Sequence, residues 1–545
     1  MRIGILIIGI FFAFFSIGFN IYRLQIEKGQ YYSARAESQY RLAGFLEPRR
    51  GNIYFTDKNN NLIPAAINKE YPVVFAVPTE VEDPEEAAAI LSEIFLLNKD
   101  KIKNSLIKEN DLYELLATKA NREQIAKIKE ANLRGIYIDS QEMRFYPFGN
   151  LAAHLLGFVG SSDKDSGLVG RYGLELYYED DLKGRPGVIE NDKLIDPMAG
   201  EDVVLTIDRN IQARAEEILG SLIKDYEAQG GTVIVQEPVT GKILAMTSSP
   251  GFDPNDYADY KINLFLNPAV QAIYEPGSIF KVITMAAGID SGKITPNTAF
   301  FDNGSVTLNG RTIQNWDLKA HGKVTMTQVI EQSINTGAVF AQRKIGPDIF
   351  YDYLVKFGFN KVTDAGLPGE VAGNLRNLVT SAKDINFATA SFGQGISVTP
   401  MGLINAISAI ANKGLLMKPY LISGAEPEVV RRIISPEAAN QVIKMMASAV
   451  SKAQIAQIPQ YQVAGKTGTA QVPDFKNGGY TDQVINTYIG FAPAFDARFV
   501  ILIKLDKPKG APLAGLTVVP AFRELAQFLL NYYNIGPDNL GTSKQ

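Results

Sequence analysis

The 545-residue chain contains no cysteine. That excludes disulfides, cysteine nucleophiles, iron–sulfur clusters and thiolate zinc sites, though it fits either redox compartment. Histidine is nearly as scarce, with only His154 and His321, so counting alone argues against a histidine-dependent triad or a multi-histidine metal site. There is no surplus of one charge: Lys+Arg 54 against Asp+Glu 58 leaves −4, and nothing global points toward nucleic acid. A composition of 46% hydrophobic and 21% charged residues excludes a mainly disordered, collagen-like or polytopic membrane chain. The length implies two or three domains.

Charge is absent from one place in particular. Ile3 to Ile21 holds none and includes Phe11, Phe12, Phe14, Phe15 and Phe19. A helix of that length can cross a hydrocarbon core of about 30 Å. A cleaved signal peptide has a shorter apolar run with a small-residue site close behind, whereas Ala34-Arg35-Ala36 lies far downstream. An uncleaved anchor is expected. Arg2, Arg23 and Lys28 do not orient it, because a large downstream domain can be translocated despite such charges.

Beyond the anchor, Tyr71 to Val77 (YPVVFAV) reads as a strand, and Asp83-Pro84-Glu85-Glu86 opens a helix with Asp as N-cap. Residues 99–130 are rich in Lys and Glu and read as a solvated helical face. The aperiodic run GRPGVIENDKLIDPMAGED near 184–202 suggests a boundary. After it, Asp208 caps a helix with Ile211, Ala215, Ile218 and Leu222 at helical spacing. GGTVIVQEP and TGKILAMTSSP follow as hairpin strands around Pro238-Val239-Thr240-Gly241. Further helices open at Thr399-Pro400 and Ser435-Pro436-Glu437. Strands at 483–491 and 498–505 flank Ala492–Ala497, and a closing helix covers 517–533. The order implies an α+β fold with an antiparallel sheet flanked by helices.

Three short motifs carry chemistry. Ser278-Ile279-Phe280-Lys281 follows Glu275-Pro276-Gly277, which breaks the chain and places Ser278 at a helix start. The helix continues apolar nearly all round, with Lys281 its only charge, so it is expected to be buried. A buried lone lysine is costly unless paired or neutral. At i+3 its amine shares a face with the serine hydroxyl, and a neutral amine can take the serine proton. The pattern Ser-x-x-Lys alone is uninformative: it recurs at Ser105, Ser161 and Ser221, and a capping serine beside a snorkelling lysine explains it equally. Ser333-Ile334-Asn335 is expected near the end of a helical run (Met326, Val329, Ile330, Ile334) before Gly337. Its hydroxyl could relay protons and its carboxamide bind a substrate amide, although a polar helix end is the plainer account. Lys466-Thr467-Gly468-Thr469 reads as a strand. Lys466 and Thr467 could hold a carboxylate, and Gly468 would let a peptide backbone approach as an added strand. A protected edge strand is the alternative.

The ordered set, with gaps of 55 and 133 residues, resembles the penicillin-binding proteins and serine β-lactamases, with the spacing of the transpeptidases. YEPGSIFK and GQGISVTPMGLINAISAIANKG at 393–414 resemble the same family. RLQIEKGQYY, Pro48-Arg49-Arg50-Gly51-Asn52-Ile53-Tyr54, RFYPFGNLAAHLLGFVG and GRYGLELYYEDDLKG are similar to the non-catalytic pedestal of class B enzymes. The acidic-basic pair usual after Arg-Gly-x-Ile is blurred here into Phe55-Thr56-Asp57-Lys58. No glycosyltransferase-sized module precedes the pedestal, so a bifunctional enzyme is not expected. The resemblance implies a short cytoplasmic end (1–2), an anchor (3–22), a pedestal of dimerisation type (23–197), a transpeptidase domain (198–535) and a tail (536–545).

It implies, further, that Ser278 attacks the penultimate D-Ala carbonyl of a D-Ala-D-Ala stem peptide with Lys281 as base. Ser333 and Lys466 would return a proton to the leaving amine. Asn335 would hold the peptide amide, and Thr467, Gly468 and Thr469 would line the carboxylate and backbone site. No metal or organic cofactor is required. β-Lactams would inhibit, and the expected setting is the bacterial cytoplasmic membrane, single-pass, with the catalytic domain outside. The Lys-Thr-Gly-Thr-Ala-Gln run and GFAPAFDARFVILIKLDKPK look more like the division-associated type than the elongation type. The expected partner is then a membrane glycosyltransferase of that machinery. A β-lactamase, or a β-lactam sensor or inactive scaffold, shares the fold. The β-lactamase signature is imitated only poorly by Glu370-Val371-Ala372-Gly373-Asn374. His321 is read as structural or surface, His154 as buried and hydrogen-bonded, and Trp316 as packed in the core, with a place lining the cleft as the alternative.

Overall fold

The structure, a computed structural model, describes residues 2–28, 48–108, 111, 113–161, 168–190, 193–379, 382–474, 476–511 and 513–538. Most of the run RLQIEKGQYY beyond Lys28, Ala34-Arg35-Ala36 and the tail after 538 lie outside them. The first helix, α1 (Arg2–Tyr22), is 21 residues long. Phe11, Phe12, Phe14 and Phe15 stand exposed on it. Among the residues whose side chains are described, which on α1 begin at Phe11, no helix is long and apolar enough to cross a membrane.

The first module is a sheet built around one long strand. β1 (Ile53–Thr56) pairs with the start of β2 (Ile63–Ala76). After α2 (Pro84–Phe95), whose N-cap Asp83 accepts from the backbone of Glu85 and Glu86, β3 (Glu114–Ala117) and β4 (Ile136–Phe145) pair with the rest of β2. The stretch 99–130 departs from the expected solvated face: helices Lys99–Leu106 and Arg122–Ala131 flank β3, and Ile102, Leu106 and Ile128 are buried under it. Its Lys and Glu residues mask an apolar residue about once per turn. The aperiodic 184–202 run is likewise ordered in part, with a hairpin of Val188–Glu190 and Lys193–Ile195.

Three separated runs of this module meet at one buried carboxylate. Glu175, fully buried, accepts from Arg50 Nε (2.9 Å) and Arg144 Nε (2.6 Å), with Tyr146 Oη at 3.3 Å. Arg50 also pairs with Glu179 (2.7 Å). These residues come from the Arg-Arg-Gly, RFYPFGN and GRYGLELYYED segments, so the sequence features marking the module are the pieces of its internal strut.

β5 (Val203–Asp208) runs parallel to β1, with Ile53 opposite Val203, and also bonds the 421–423 segment through Thr206 and Ser423. It therefore belongs to both modules. Asp208 caps α3 (Arg209–Asp225), accepting from the backbone of Asn210 and Ile211. The second module centres on a sheet of β6 (Gly230–Gln236), β7 (Ile243–Ser249), β8 (Ala464–Pro473), β9 (Tyr480–Ala492) and β10 (Phe499–Asp506). Its order is β7-β6-β10-β9-β8, antiparallel throughout. β8 is an edge. Apolar residues run unbroken from Phe499 to Ile503 of β10 because both faces are covered: Val500 and Leu502 pack toward α4 (Phe280–Asp290), α7 (Pro400–Ala411) and α8 (Pro436–Ala453), while Ile501 and Ile503 pack on α3 and α9 (Val518–Tyr532). α5 (Met326–Glu331) and α6 (Asn335–Ile345) complete the helical layer.

Replacing Glu175 with Gln leaves Arg144 without a carboxylate, and Arg50 with only Glu179, in a closed site. Breaking a buried pair costs about 3–5 kcal/mol. Chemical denaturation of the full chain should show the fold destabilised by that order. A change indistinguishable from that of the more exposed Glu179→Gln would show that the strut contributes no more than a surface pair.

Candidate active site

The turn before α4 is fixed by backbone. Tyr274 and Val398 exchange N–H···O bonds at 3.0 and 2.9 Å, and Gly277 N donates to Gly393 O at 3.1 Å. Gly277 has φ +57°, and a Cβ on Gly393 would fall 2.2 Å from Gly277 O. Side chains at either point would push the turn away. This explains the GQG run at 393–395. Ser278 then sits in a helical turn that enters α4, a helix buried from Phe280 through Ile289.

The Ser-x-Asn motif lies elsewhere than expected. Ser333 is in the break between α5 and α6, with φ +57°, and Asn335 opens α6. The apolar period runs on through the break because Ile334 is buried in the break itself. Gly337 is inside α6, not at a helix end; a Cβ there would meet Val329 Cγ2 at 2.3 Å, so it permits the close approach of the two helices. A left-handed, non-glycine Ser333 costs of order 1–3 kcal/mol and aims its hydroxyl and carbonyl at Lys281.

On β8, Lys466, Gly468 and Ala470 share the buried face and Thr467 and Thr469 the half-buried one. Gly468 meets a requirement within the chain itself: a Cβ would lie 2.8 Å from Pro276 O and 3.1 Å from Ile279. What comes close is the nucleophile turn itself.

The structure thus brings together Ser278, Lys281, Ser333 and Lys466. Lys281 Nζ lies 2.9 Å from Ser278 Oγ and 3.1 Å from Ser333 Oγ, and donates to Ser333 O at 2.6 Å. Lys466 Nζ lies 3.0 Å from Ser333 Oγ and donates to Thr467 O at 3.1 Å. Both lysines are buried. Desolvation, and then the neighbouring charge of Lys466, hold the Lys281 amine well below the ordinary lysine range. Desolvation brings Lys466 down to about 7. The arrangement offers a hydroxyl beside a neutral amine, with a second amine and a shared hydroxyl able to pass a proton onward. Asn335 Nδ2 donates to Gln314 O (2.8 Å), and Thr469 Oγ1 accepts from Ala514 N (3.3 Å).

Residues 231–527 match the family model of the penicillin binding protein transpeptidase domain, and residues 45–194 that of the penicillin-binding protein dimerisation domain. The chain belongs to the penicillin-binding transpeptidases. Stage V sporulation protein D of Bacillus subtilis is 33% identical over 505 residues, covering 87% of this chain and 76% of that protein. Peptidoglycan D,D-transpeptidase FtsI of Buchnera aphidicola is 30% identical over 470 residues, covering 82% and 79%. Penicillin binding protein 3 of Mycobacterium tuberculosis, solved with aztreonam, superposes with a TM-score of 0.70 at 27% identity, covering 91% and 98%. The chain is a serine-type peptidoglycan D,D-transpeptidase, with a dimerisation-type domain ahead of its catalytic domain.

Around the transpeptidase centre lie residues that the sequence did not reveal. Asp302, fully buried, accepts from Thr336 Oγ1 (2.6 Å), Asn315 Nδ2 (2.8 Å) and His321 N (3.0 Å), with His321 Nδ1 at 2.7 Å. Thr336 follows Asn335, so this carboxylate holds the start of α6. As one acid among 58 it carries no local signal. His321 is structural, as expected. His154 is buried, its pKa brought down to about 4 by desolvation. Trp316 is not in the core: it is 59% exposed and donates to Gln332 O at 3.0 Å, beside Ser333. Its large ring suggested burial, but a hydrogen bond to the loop holds it in the open. Glu370 accepts from the backbone of Thr363, Asp364 and Ala365 and from Thr363 Oγ1, so both its oxygens are committed to its own loop.

Removing the Lys466 amine should release Lys281 from a like charge. The pKa of Lys281 then rises, and the amine stays protonated to higher pH. In Lys466→Met the acid limb of the penicillin-labelling rate against pH should therefore move upward, with a lower maximum. A limb that stays in place, or moves to lower pH, would show that the two amines do not interact.

Proposed function

We propose that this transpeptidase works through Ser278 as nucleophile. Ser278 Oγ attacks the penultimate D-Ala carbonyl, Lys281 takes its proton, and the backbone N–H groups of Ser278 and Thr469 receive the oxyanion, each donor worth about 3 kcal/mol. The peptide C–N bond breaks. Lys466 and Ser333 pass a proton to the departing D-Ala amine. Asn335 holds the donor amide, and Thr467 and Thr469 the terminal carboxylate. An amine of a neighbouring strand then attacks the Ser278 ester, forms the cross-link and frees the serine. The observation that carries this reading is the 2.9 Å approach to Ser278 Oγ of a buried Lys281 amine that has no carboxylate partner among the described residues.

The finer setting follows from the sequence. The uncharged run 3–21 lies within a 21-residue helix, about 30 Å long at 1.5 Å per residue, which supports a single-pass anchor with the transpeptidase outside the cytoplasmic membrane and 23–197 as its pedestal. The Lys466–Gln471 run and the β9–β10 region favour synthesis of the septal wall, with a membrane glycosyltransferase as partner. β-Lactams would acylate the same serine.

Intact mass after a penicillin pulse tests this. The full chain should gain one penicillin mass, Ser278→Ala none while remaining folded, and Lys281→Ala should acylate orders of magnitude more slowly. With both Glu370 oxygens committed to their own loop, the adduct should outlast removal of free drug, and Glu370→Gln should alter its lifetime little. Undiminished labelling of Ser278→Ala would remove that serine. Loss of the adduct within seconds, slowed strongly in Glu370→Gln, would favour a β-lactamase.

A further inference from the structure

A cavity of about 500 Å³ is lined by residues that include Asn335 and Tyr480. Its wall includes two cations, Arg311 and Lys383, and amide side chains such as Gln314 and Gln394, but no aspartate or glutamate. Neither cation forms an ion pair among the described residues, and both are exposed. The acid behind this wall is Glu275, which is buried and already accepts from Gly395 N (2.9 Å) and Tyr480 Oη (3.0 Å); desolvation pushes its carboxyl pKa up. The cavity is therefore cationic where it is open.

Its direction identifies what would cross it. Tyr480 lies opposite Pro473, at the far end of β8 from Lys466. A donor peptide added antiparallel to the free edge of β8, with its terminal carboxylate at Thr467 and Thr469, runs its upstream residues toward Gln471 and Pro473. Those residues pass over the cavity. We infer that the Arg311–Lys383 cavity binds a carboxylate of the donor stem peptide upstream of its two D-alanines. The inference rests on the proposed reading of the centre and adds a charge requirement to it. Two sources carry that chemistry: the α-carboxylate of a γ-linked D-glutamate, and the free carboxylate of a diamino-diacid third residue.

Thioester donors measure this directly. The full chain in detergent opens the C–S bond, Ser278 takes the acyl group, and the released thiol is read by a chromogenic thiol reagent. The protein itself has no cysteine to interfere. The long donor is L-Ala-γ-D-Glu-meso-diaminopimelyl-D-Ala-thioglycolate, and the short donor is N-acetyl-D-Ala-thioglycolate. In Arg311→Gln and Lys383→Gln the long-to-short ratio of kcat/KM should fall by about tenfold each, the scale of one charge-assisted contact. Misfolding would lower both rates and leave the ratio unchanged. Replacing D-glutamate with D-isoglutamine, or diaminopimelate with lysine, should reproduce the loss in wild type for whichever carboxylate is bound. An unchanged ratio in both variants, or equal use of donors lacking both carboxylates, would overturn the inference. Failure of wild type to open either donor would instead overturn the reading of the centre, and this inference with it.

Discussion

Two lysine amines meet on the hydroxyl of Ser333, at 3.1 and 3.0 Å, in a site where burial already penalises charge on either. Two protons cannot both be held there at modest cost, because like charges a few ångströms apart repel strongly when water does not screen them. Burial and the charge of Lys466 hold the Lys281 amine well below the ordinary lysine range, which suits it to receive a proton from Ser278 without a histidine or carboxylate. Lys466 stays near the midpoint of its titration at neutral pH. A chain with two histidines, neither at this centre, can do acid–base chemistry only if its fold makes lysine behave as a weaker base, and burial is how it does so.

That burial requires several chain segments to close together. α4 supplies Ser278 and Lys281 and is enclosed along its length. The left-handed Ser333 turns its carbonyl onto Lys281, so the backbone conformation itself satisfies an amine that would otherwise be buried without a partner. β8 brings Lys466, and glycine at 468 lets that strand lie against Pro276. Asp302 then pins Thr336 and Asn315, which fixes the start of α6 and the loop carrying Trp316. Most of the centre's precision thus comes from contacts that never touch substrate.

Much of this was legible in the sequence. Asp83, Asp208, Thr399 and Ser435 cap the helices they announce, because capping is local chemistry between neighbours. The strands of the antiparallel sheet and the all-round apolar α4 were equally plain. The failures have a common cause. Ser333 was placed near the end of a helix because Ile334 extends the apolar period through a break that only φ reveals. Gly337 looked like a stop, whereas it lets α6 lie close to Val329 of α5, and the motif around Gly468 does not announce that this residue also makes room for Pro276 and Ile279. Asp302 joins residues 13 to 34 positions away, and Trp316 is held outside by a backbone carbonyl. Periodicity and motif spacing report what is near in sequence, while these features depend on what is near only after folding.

The junction of the modules follows the same logic at larger scale. A boundary between 197 and 198 predicts two separable bodies, yet β5 lies just beyond it and pairs with β1 before it, while bonding 421–423 on its other side. Ile53 and Phe55 of the first module and Phe280 and Leu403 of the second belong to one continuous core. A hinge at this point would have to open apolar surface to water at roughly 25 cal/mol per Å² and break the β5 pairings, so free swinging is not available. An enzyme whose donor and acceptor strands lie in an extended wall needs its centre held at a fixed distance from whatever carries it. A shared strand and a shared core provide that more reliably than a linker, and they make the Glu175 strut, remote from Ser278, part of how the centre is placed.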